Sequence, residues 1–265
     1  MIKVNKLKQN LKQGKHVFGT WSNIASPTVT NILANTGVDF IVLDLEHGPS
    51  SFETIESQIY ASECENVSAI VRLASSDRID ILHALEVGAT NILVSQVSSV
   101  EETAAIISAC KYFPEGDRGV SLFTKNHGYS DKNSKEKMAK INDETFVGVL
   151  LEGEDGLNNI EKICTLDNLD MIYLGIYDIS QSLGIPGDVE DKKVIDLLKD
   201  LGKLIKSHGI APGSVAPNKN YLNLLIESGF TFISYRADSA ILVDGYKESK
   251  KWFDKKISNI DKSNE

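Results

Sequence analysis

Hydrophobic residues along this chain fall into short continuous runs, separated by longer stretches in which they recur every three or four positions. Continuous runs read as strands buried on both faces, and the spaced stretches as amphipathic helices. Eight strands are predicted, over 16–21, 39–44, 69–73, 91–95, 146–151, 171–175, 210–214 and 230–235. Helical spacing occupies 26–35, 51–64, 77–86, 100–110, 190–207 and 218–227. Four helices or their equivalents end on a glycine turn: NTGVDF at 35–40, EVGATNI at 86–92, SHGIAP at 207–212 and ESGFTF at 227–232. A glycine there is the left-handed cap that turns a helix into the next strand.

Regular alternation of this kind predicts an α/β fold with a parallel sheet. A doubly wound sheet also alternates, but it usually carries a Gly-rich phosphate loop after its first strand. Here that position reads SNIASPTVT, so a single (β/α)8 TIM barrel spanning 1–265, with its core at 16–246, is the expected fold. The basic N-terminus has the spacing of a short amphipathic helix rather than of a signal peptide. One region breaks the rhythm: 112–144 is a long loop rich in Gly, Lys, Asn and Ser, with a short helix expected at 132–141, joining the fourth helix to the fifth strand. Loops of that length are usually functional or mobile. From 247 the chain reads as an amphipathic helix carrying Trp252 and Phe253, then as a polar disordered tail over 258–265.

The net charge of -9 argues against nucleic acid or an anionic membrane as the main partner. No segment approaches the length of about 18 uninterrupted apolar residues that spans a bilayer. Cys64, Cys110 and Cys164 are far apart and form no CxxC pair, which fits buried small hydrophobes in a reduced, cytoplasmic protein.

Four apolar runs end on ionisable residues: VLDLEH at 42–47, IVR at 70–72, VLLE at 149–152 and IYLGIYD at 172–178. In a parallel barrel, such strand ends face the catalytic mouth. Glu152 and Asp178 end neighbouring strands, so their carboxylates can converge as oxygen ligands for Mg2+ or Mn2+. Asp178 could equally cap a helix, and either acid could pair with a lysine. Arg72 would hold a substrate carboxylate or an enolate oxygen, or serve in a structural ion pair. His47, after Asp44 and Glu46, suits acid-base work near neutral pH if a carboxylate orients its ring.

Taken together, GTW at 19–21, DLEHGPSSFE at 44–53, VRL at 71–73, EVGA at 86–89, YFPEGDRGV at 112–120, LLEGEDGLNNI at 150–160 and LGIYDISQSLG at 174–184 resemble the HpcH/HpaI class II aldolases. Those enzymes are similar to 2,4-dihydroxyhept-2-ene-1,7-dioate aldolase and 2-dehydro-3-deoxyglucarate aldolase. The resemblance runs from about Gly19 to Leu242. It implies a barrel of the phosphoenolpyruvate/pyruvate superfamily type, assembled as a homo-oligomer, hexamer or trimer, with the last helix exchanged between subunits. It implies a lyase that cleaves or forms a 4-hydroxy-2-oxo acid from pyruvate and an aldehyde, through an enolate bound to Mg2+, Mn2+ or Co2+. Residue by residue, Glu152 and Asp178 match the metal ligands and Arg72 the enolate-binding arginine. His47, with Asp44, matches the catalytic histidine. Trp21 and the segment Gly175, Ile176, Tyr177 and Asp178 fall at the substrate, the backbone amides of that segment facing the pyruvate carboxylate.

The chain also departs from the family pattern. Leu150 stands where Gln usually precedes the metal Glu, Ile176 where Pro is usual, Glu86 for Asp and Ser95 for Pro. Those changes, with the long loop, are expected to alter the aldehyde pocket and leave the enolate machinery in place. Another enolate-forming lyase of the superfamily, a decarboxylase or a citrate-lyase-like enzyme, is the alternative, and a noncatalytic barrel a third.

Overall fold

In the computed structural model, which describes residues 2–263, each predicted apolar run becomes one stave of a closed parallel barrel. The strands are β1 (Val17–Ser22), β2 (Phe40–Asp44), β3 (Ser68–Leu73), β4 (Asn91–Val94), β5 (Phe146–Leu151), β6 (Met171–Leu174), β7 (Ala211–Ala216) and β8 (Phe232–Ala237). They pair in chain order, and β8 closes against β1. The helices are α1 (Lys6–Lys12), α2 (Pro27–Ala34), α3 (Phe52–Glu63), α4 (Arg78–Glu86), α5 (Val100–Cys110), α6 (Ser134–Glu144), α7 (Glu154–Ile163), α8 (Ile176–Ser182), α9 (Lys192–Ser207), α10 (Lys219–Glu227) and α11 (Asp238–Ser263).

Local chemistry starts these helices where the sequence places cap residues. Ser26, Ser51, Asp77, Ser99 and Asn218 each accept a hydrogen bond from an amide of the first turn they precede. Two helices escape the hydrophobic pattern. In α8 the run IYLGIYD looks like one strand, yet Gly175 is the N-cap and the chain turns helical from Ile176. In α7, absent from the predicted helices, Gly156 shares the buried face with Ile160 and Ile163 and packs tightly; a Cβ there would lie 2.5 Å from the Val97 carbonyl oxygen.

Apolar side chains divide into two cores. One lies between the barrel and its helices, and the other fills the barrel, with Leu7 and Leu11 of α1 closing its lower end. Inside, the rings of Phe40 and Phe232 stack with centroids 3.9 Å apart. Gly19 makes room for them, since a Cβ at that position would meet the Phe40 ring at 2.5 Å and its backbone oxygen closer still. Cys110 and Cys164 are buried as expected, and burial pushes their thiols up to about 12 and about 11. Cys64, expected to be buried, is exposed because it caps the end of α3.

The long segment 112–144 is the one expected as a functional or mobile loop. It connects a helix to a strand, so it packs under the barrel, at the opposite end from the strand carboxyl termini. Lys125 pairs with Glu63 at 3.1 Å, and Asn126 caps α4 through the carbonyls of Leu85 and Ala89. Arg118 pairs with Glu86 at 3.0 Å and stacks on Tyr112, whose hydroxyl meets the buried His127 ring at 3.0 Å. Glu86 is therefore a partner of this segment and has no place in the mouth. At the other end of the chain, α11 continues through Ser263, across most of the stretch expected as a disordered tail; residues 264–265 of that expectation lie outside the described residues.

Gly19→Ala should destabilise the barrel by about 1–3 kcal/mol, because the methyl group has to displace Phe40 against Phe232. Urea denaturation measures this; unchanged stability would contradict the packing described.

Candidate active site

At the carboxyl ends of the strands lies a cavity of about 400 Å3, and all nine residues singled out from the sequence line it. Trp21 comes from β1, Asp44 from the end of β2, Arg72 from β3, and His47 from the turn after β2. Glu152 follows β5, and Gly175, Ile176, Tyr177 and Asp178 pass from β6 into α8. Parallel pairing brings them together: Asp44 stands directly opposite Arg72 in the β2–β3 register.

Asp44 is fully buried, and four donors converge on it. Arg72 grips it with two nitrogens, its Nε 2.8 Å from Oδ1 and a terminal nitrogen on Oδ2. Asn23 donates to Oδ2 at 2.8 Å, and the backbone amides of Glu46 and His47 donate to Oδ1 at 2.9 and 3.1 Å. Burial alone would raise the Asp44 carboxyl, but the Arg72 hydrogen bond and charge, with the two amides, hold it below the usual carboxylate range. The other terminal nitrogen of Arg72 pairs with Glu46 at 2.9 Å, and Gln96 donates to that carboxylate at 2.7 Å.

The guanidinium also lies over the Trp21 ring, 4.5 Å from its centroid. Trp21 is fixed in turn: its indole N–H donates to the Tyr173 hydroxyl at 3.0 Å and to Ser234 Oγ at 2.9 Å. Tyr173 and Ser234 are 2.7 Å apart, and burial pushes the Tyr173 phenol up, so it stays protonated. Residues of β1, of β2 and of the turn after β2 thus orient one arginine.

The same cavity holds the two acids Glu152 and Asp178. Burial, the charges of Asp178 and Glu46, and a hydrogen bond with Asp178 push Glu152 up to about 8. A carboxyl whose ionisation an adjoining carboxylate disfavours forms with it a donor set that a divalent cation would satisfy. Gly175 shapes that space, since a Cβ there would sit 2.5 Å from Glu152 Oε2. The residues present therefore fit an oxygen-ligated divalent ion. Among the described residues no three His, Cys, Asp or Glu side chains form a metal cluster, so water or substrate oxygens would complete such a shell.

Several details differ from the sequence reading. Asp44 binds the backbone amide of His47, not its ring, because Arg72 and Asn23 occupy the rest of the carboxylate; the exposed imidazole has no partner among the described residues. Asp178 is not a helix cap; it lies in the first turn of α8 after the N-cap Gly175. The Gly175 amide donates to the Leu151 carbonyl at 3.2 Å, which leaves the amides of Ile176, Tyr177 and Asp178 as the ones without an intrahelical acceptor. Leu150 and Ile176 line the cavity as apolar surface, while Ser95 is buried outside it and no residue of 112–144 reaches it. Asn23, Tyr173 and Arg236 line the cavity unforeseen. Asn23 and Tyr173 carried no strand-end signal, and Arg236 lies beyond the stretch read as the eighth strand.

Known proteins resemble this chain over nearly its whole length. The family model described as HpcH/HpaI aldolase/citrate lyase matches residues 17–244. The pyruvate aldolase of Rhizobium etli is 30% identical over 244 residues, covering 92% of this chain and 95% of its own. The 5-keto-4-deoxy-D-glucarate aldolase of an Enterobacter species is 28% identical over 251 residues, covering 92% and 97%. The crystal structure of an HpcH/HpaI aldolase from Desulfitobacterium hafniense superposes with a TM-score of 0.87 at 26% identity, covering 93% of this chain and 96% of that one.

The Asp44 carboxyl is held below its unfolded value, so its stabilisation is present above about pH 4 and is lost as pH falls through the folded value. Asp44→Asn should cost about 3 kcal/mol at neutral pH, leaving Arg72 short of a charge partner, and should flatten the acid limb of the stability curve. Chemical denaturation between pH 3 and 7 reads both; an acid limb as steep as in the wild type would contradict the assignment.

Proposed function

The chain belongs to the HpcH/HpaI aldolase/citrate lyase family, and on that premise we propose that it is a divalent-metal-dependent carbon–carbon lyase, forming or cleaving a 4-hydroxy-2-oxo acid from pyruvate and an aldehyde. The observation that carries this reading is the pairing, across one cavity, of a fully oriented arginine with two adjoining carboxylates. Glu152 and Asp178 would hold the ion, Mg2+ or Mn2+ by their oxygen chemistry, with Co2+ as a substitute. When bound, the ion supplies Lewis acidity at the 2-oxo group, which makes the C3 protons acidic.

The chain's own residues do the rest. Arg72 directs its guanidinium at the enolate oxygen, and it needs no reorganisation because Asp44, Glu46 and Trp21 already fix it. Free first-turn amides of Ile176, Tyr177 and Asp178 receive the pyruvate carboxylate. Trp21 closes one wall against water. In condensation, C3 gives up a proton and bonds to the aldehyde carbon, whose oxygen gains a proton; in cleavage the same steps reverse. His47, exposed and with its ring unbound, moves the proton of the C4 hydroxyl.

A second reading, another enolate-forming lyase of decarboxylase or citrate-lyase type, draws on Leu150. That residue makes the wall beside Glu152 apolar and favours a product enolate quenched by a proton. The same acids and arginine serve either reaction. No helix among the described residues is long and apolar enough to cross a membrane, and a reduced cytoplasmic setting suits three free cysteines.

The proposed assembly draws on α11. Its residues Leu242, Tyr246, Phe253 and Ile257 are exposed and share one face of a helix 26 residues long. A second copy of the chain is the proposed cover, because the helix carries both Lys and Asp/Glu and can pair with itself.

Two measurements test this reading. With a panel of 4-hydroxy-2-oxo acids, excess EDTA should abolish pyruvate release, and Mg2+, Mn2+ or Co2+ should restore it; full activity in chelator would contradict the metal pair. Phe253→Glu should shift the protein to a smaller species in light scattering, whereas an unchanged mass would remove α11 from the interface.

A further inference from the structure

The last helix of the chain is anchored to the barrel at its first turn. From Ile241 to Asp261 every residue of α11 is exposed, whereas Asp238, its first residue, is buried and Ala240 lines the catalytic cavity. Asp238 accepts four hydrogen bonds there. Ser22 Oγ and the Ile24 amide donate to Oδ2 at 3.0 and 3.1 Å, and the amides of Asn23 and Ser239 to Oδ1 at 3.1 and 2.6 Å. All four partners are uncharged. Burying a carboxylate is costly unless donors fill its oxygens, and three of these donors come from consecutive residues where β1 ends. The acid therefore holds that stretch of backbone in one place.

The middle residue of the three carries the constraint into the site. Asn23 donates its carboxamide to Asp44 Oδ2 at 2.8 Å while its own amide is bound by Asp238. The two oxygens of Asp44 are held differently. Oδ1 receives the backbone amides of Glu46 and His47, and Oδ2 receives Asn23 besides the terminal nitrogen of Arg72. Asn23 is thus the group, other than Arg72 itself, that sets the plane of the carboxylate. Arg72 grips both oxygens, so the plane of its guanidinium follows. Asp238 is not among the residues that line the cavity, so its influence on the chemistry runs through Asn23.

Resting on the aldolase reading, we propose that Asp238 is a positioning residue for the enolate step: it holds Asn23 so that the Asn23 carboxamide fixes Asp44 and, through it, the direction of Arg72. The buried acid that anchors α11 thereby makes the start of that helix part of the catalytic arrangement. Removing Asp238 leaves Glu152, Asp178 and the first-turn amides of α8 in place. Pyruvate is then still bound, and its enolate is held less well.

Exchange of pyruvate methyl protons with deuterated water, by the Mg2+- or Mn2+-loaded protein, gives the first test. Asp238→Ala and Asn23→Ala should each lower kcat for exchange by roughly tenfold, with KM for pyruvate within about twofold of the wild type. The double variant should be no slower than the slower single variant, because both act through one contact. Asp238→Asn keeps one acceptor oxygen and should fall between the wild type and Asp238→Ala; it carries the comparison if Asp238→Ala proves unfolded in thermal denaturation. A second readout needs neither metal nor substrate. The chain has four arginines, so the Arg72 Nε–H signal in NMR is identified by its loss in Arg72→Lys. In Asp238→Ala that proton should exchange with water at least about tenfold faster. A wild-type kcat in Asp238→Ala, an unchanged Arg72 signal, or a double variant that loses the product of the two single losses each overturns the assignment of Asp238 and leaves the aldolase reading standing. A wild type that exchanges no methyl protons overturns the aldolase reading, and the Arg72 signal then decides for or against the link from Asp238 to Arg72.

Discussion

The buried pair between Asp44 and Arg72 is the constraint around which the rest of the site is arranged. Two opposite charges face each other on adjacent strands, out of water, where neither could stand alone. Each must therefore be satisfied completely, and the surroundings do this with Asn23, Glu46, two backbone amides and the face of Trp21. The outcome is a guanidinium whose direction is set before any substrate arrives. Preorganisation of that kind is what a developing enolate charge requires.

The barrel divides its labour along its axis. Below, α1, the segment 112–144 and the stacked Phe40 and Phe232 rings close the structure with apolar packing and buried ion pairs such as Arg118 with Glu86. Above, three features remain unsaturated: the adjoining acids Glu152 and Asp178, the unbound ring of His47, and the weakly paired Arg236. Groups left unsatisfied at the open end are the ones that the proposed ion, proton and substrate would meet. Asp238, at the start of α11, ties the two halves of the rim together by accepting from Ser22 and from the amides of Asn23 and Ile24.

Much of this was legible in the sequence because strand ends in a parallel barrel have a fixed meaning. The eight apolar runs and their terminal Asp44, Arg72, Glu152 and Asp178 could be placed in one mouth without coordinates. What escaped depended on exact backbone paths. Asn23 reaches Asp44 only through the turn after β1, and Arg236 enters the cavity only because β8 bulges against β1. The setting of the His47 ring depends on packing that the sequence does not display: Arg72 and Asn23 take up the Asp44 carboxylate, and only the His47 amide binds it. The length of 112–144 suggested function, but its place between a helix and a strand sent it to the closed end, and with it Glu86.

The central claim is that an arginine oriented by Asp44, beside an acid pair, creates and holds an enolate. Exchange of pyruvate methyl protons with deuterated water, followed by NMR for the Mg2+- or Mn2+-loaded protein, reports that step without any aldehyde. The wild type should exchange rapidly and Arg72→Lys, which keeps the charge but loses the bidentate fork, should slow exchange at least about tenfold. Equal exchange by the two proteins would contradict the account.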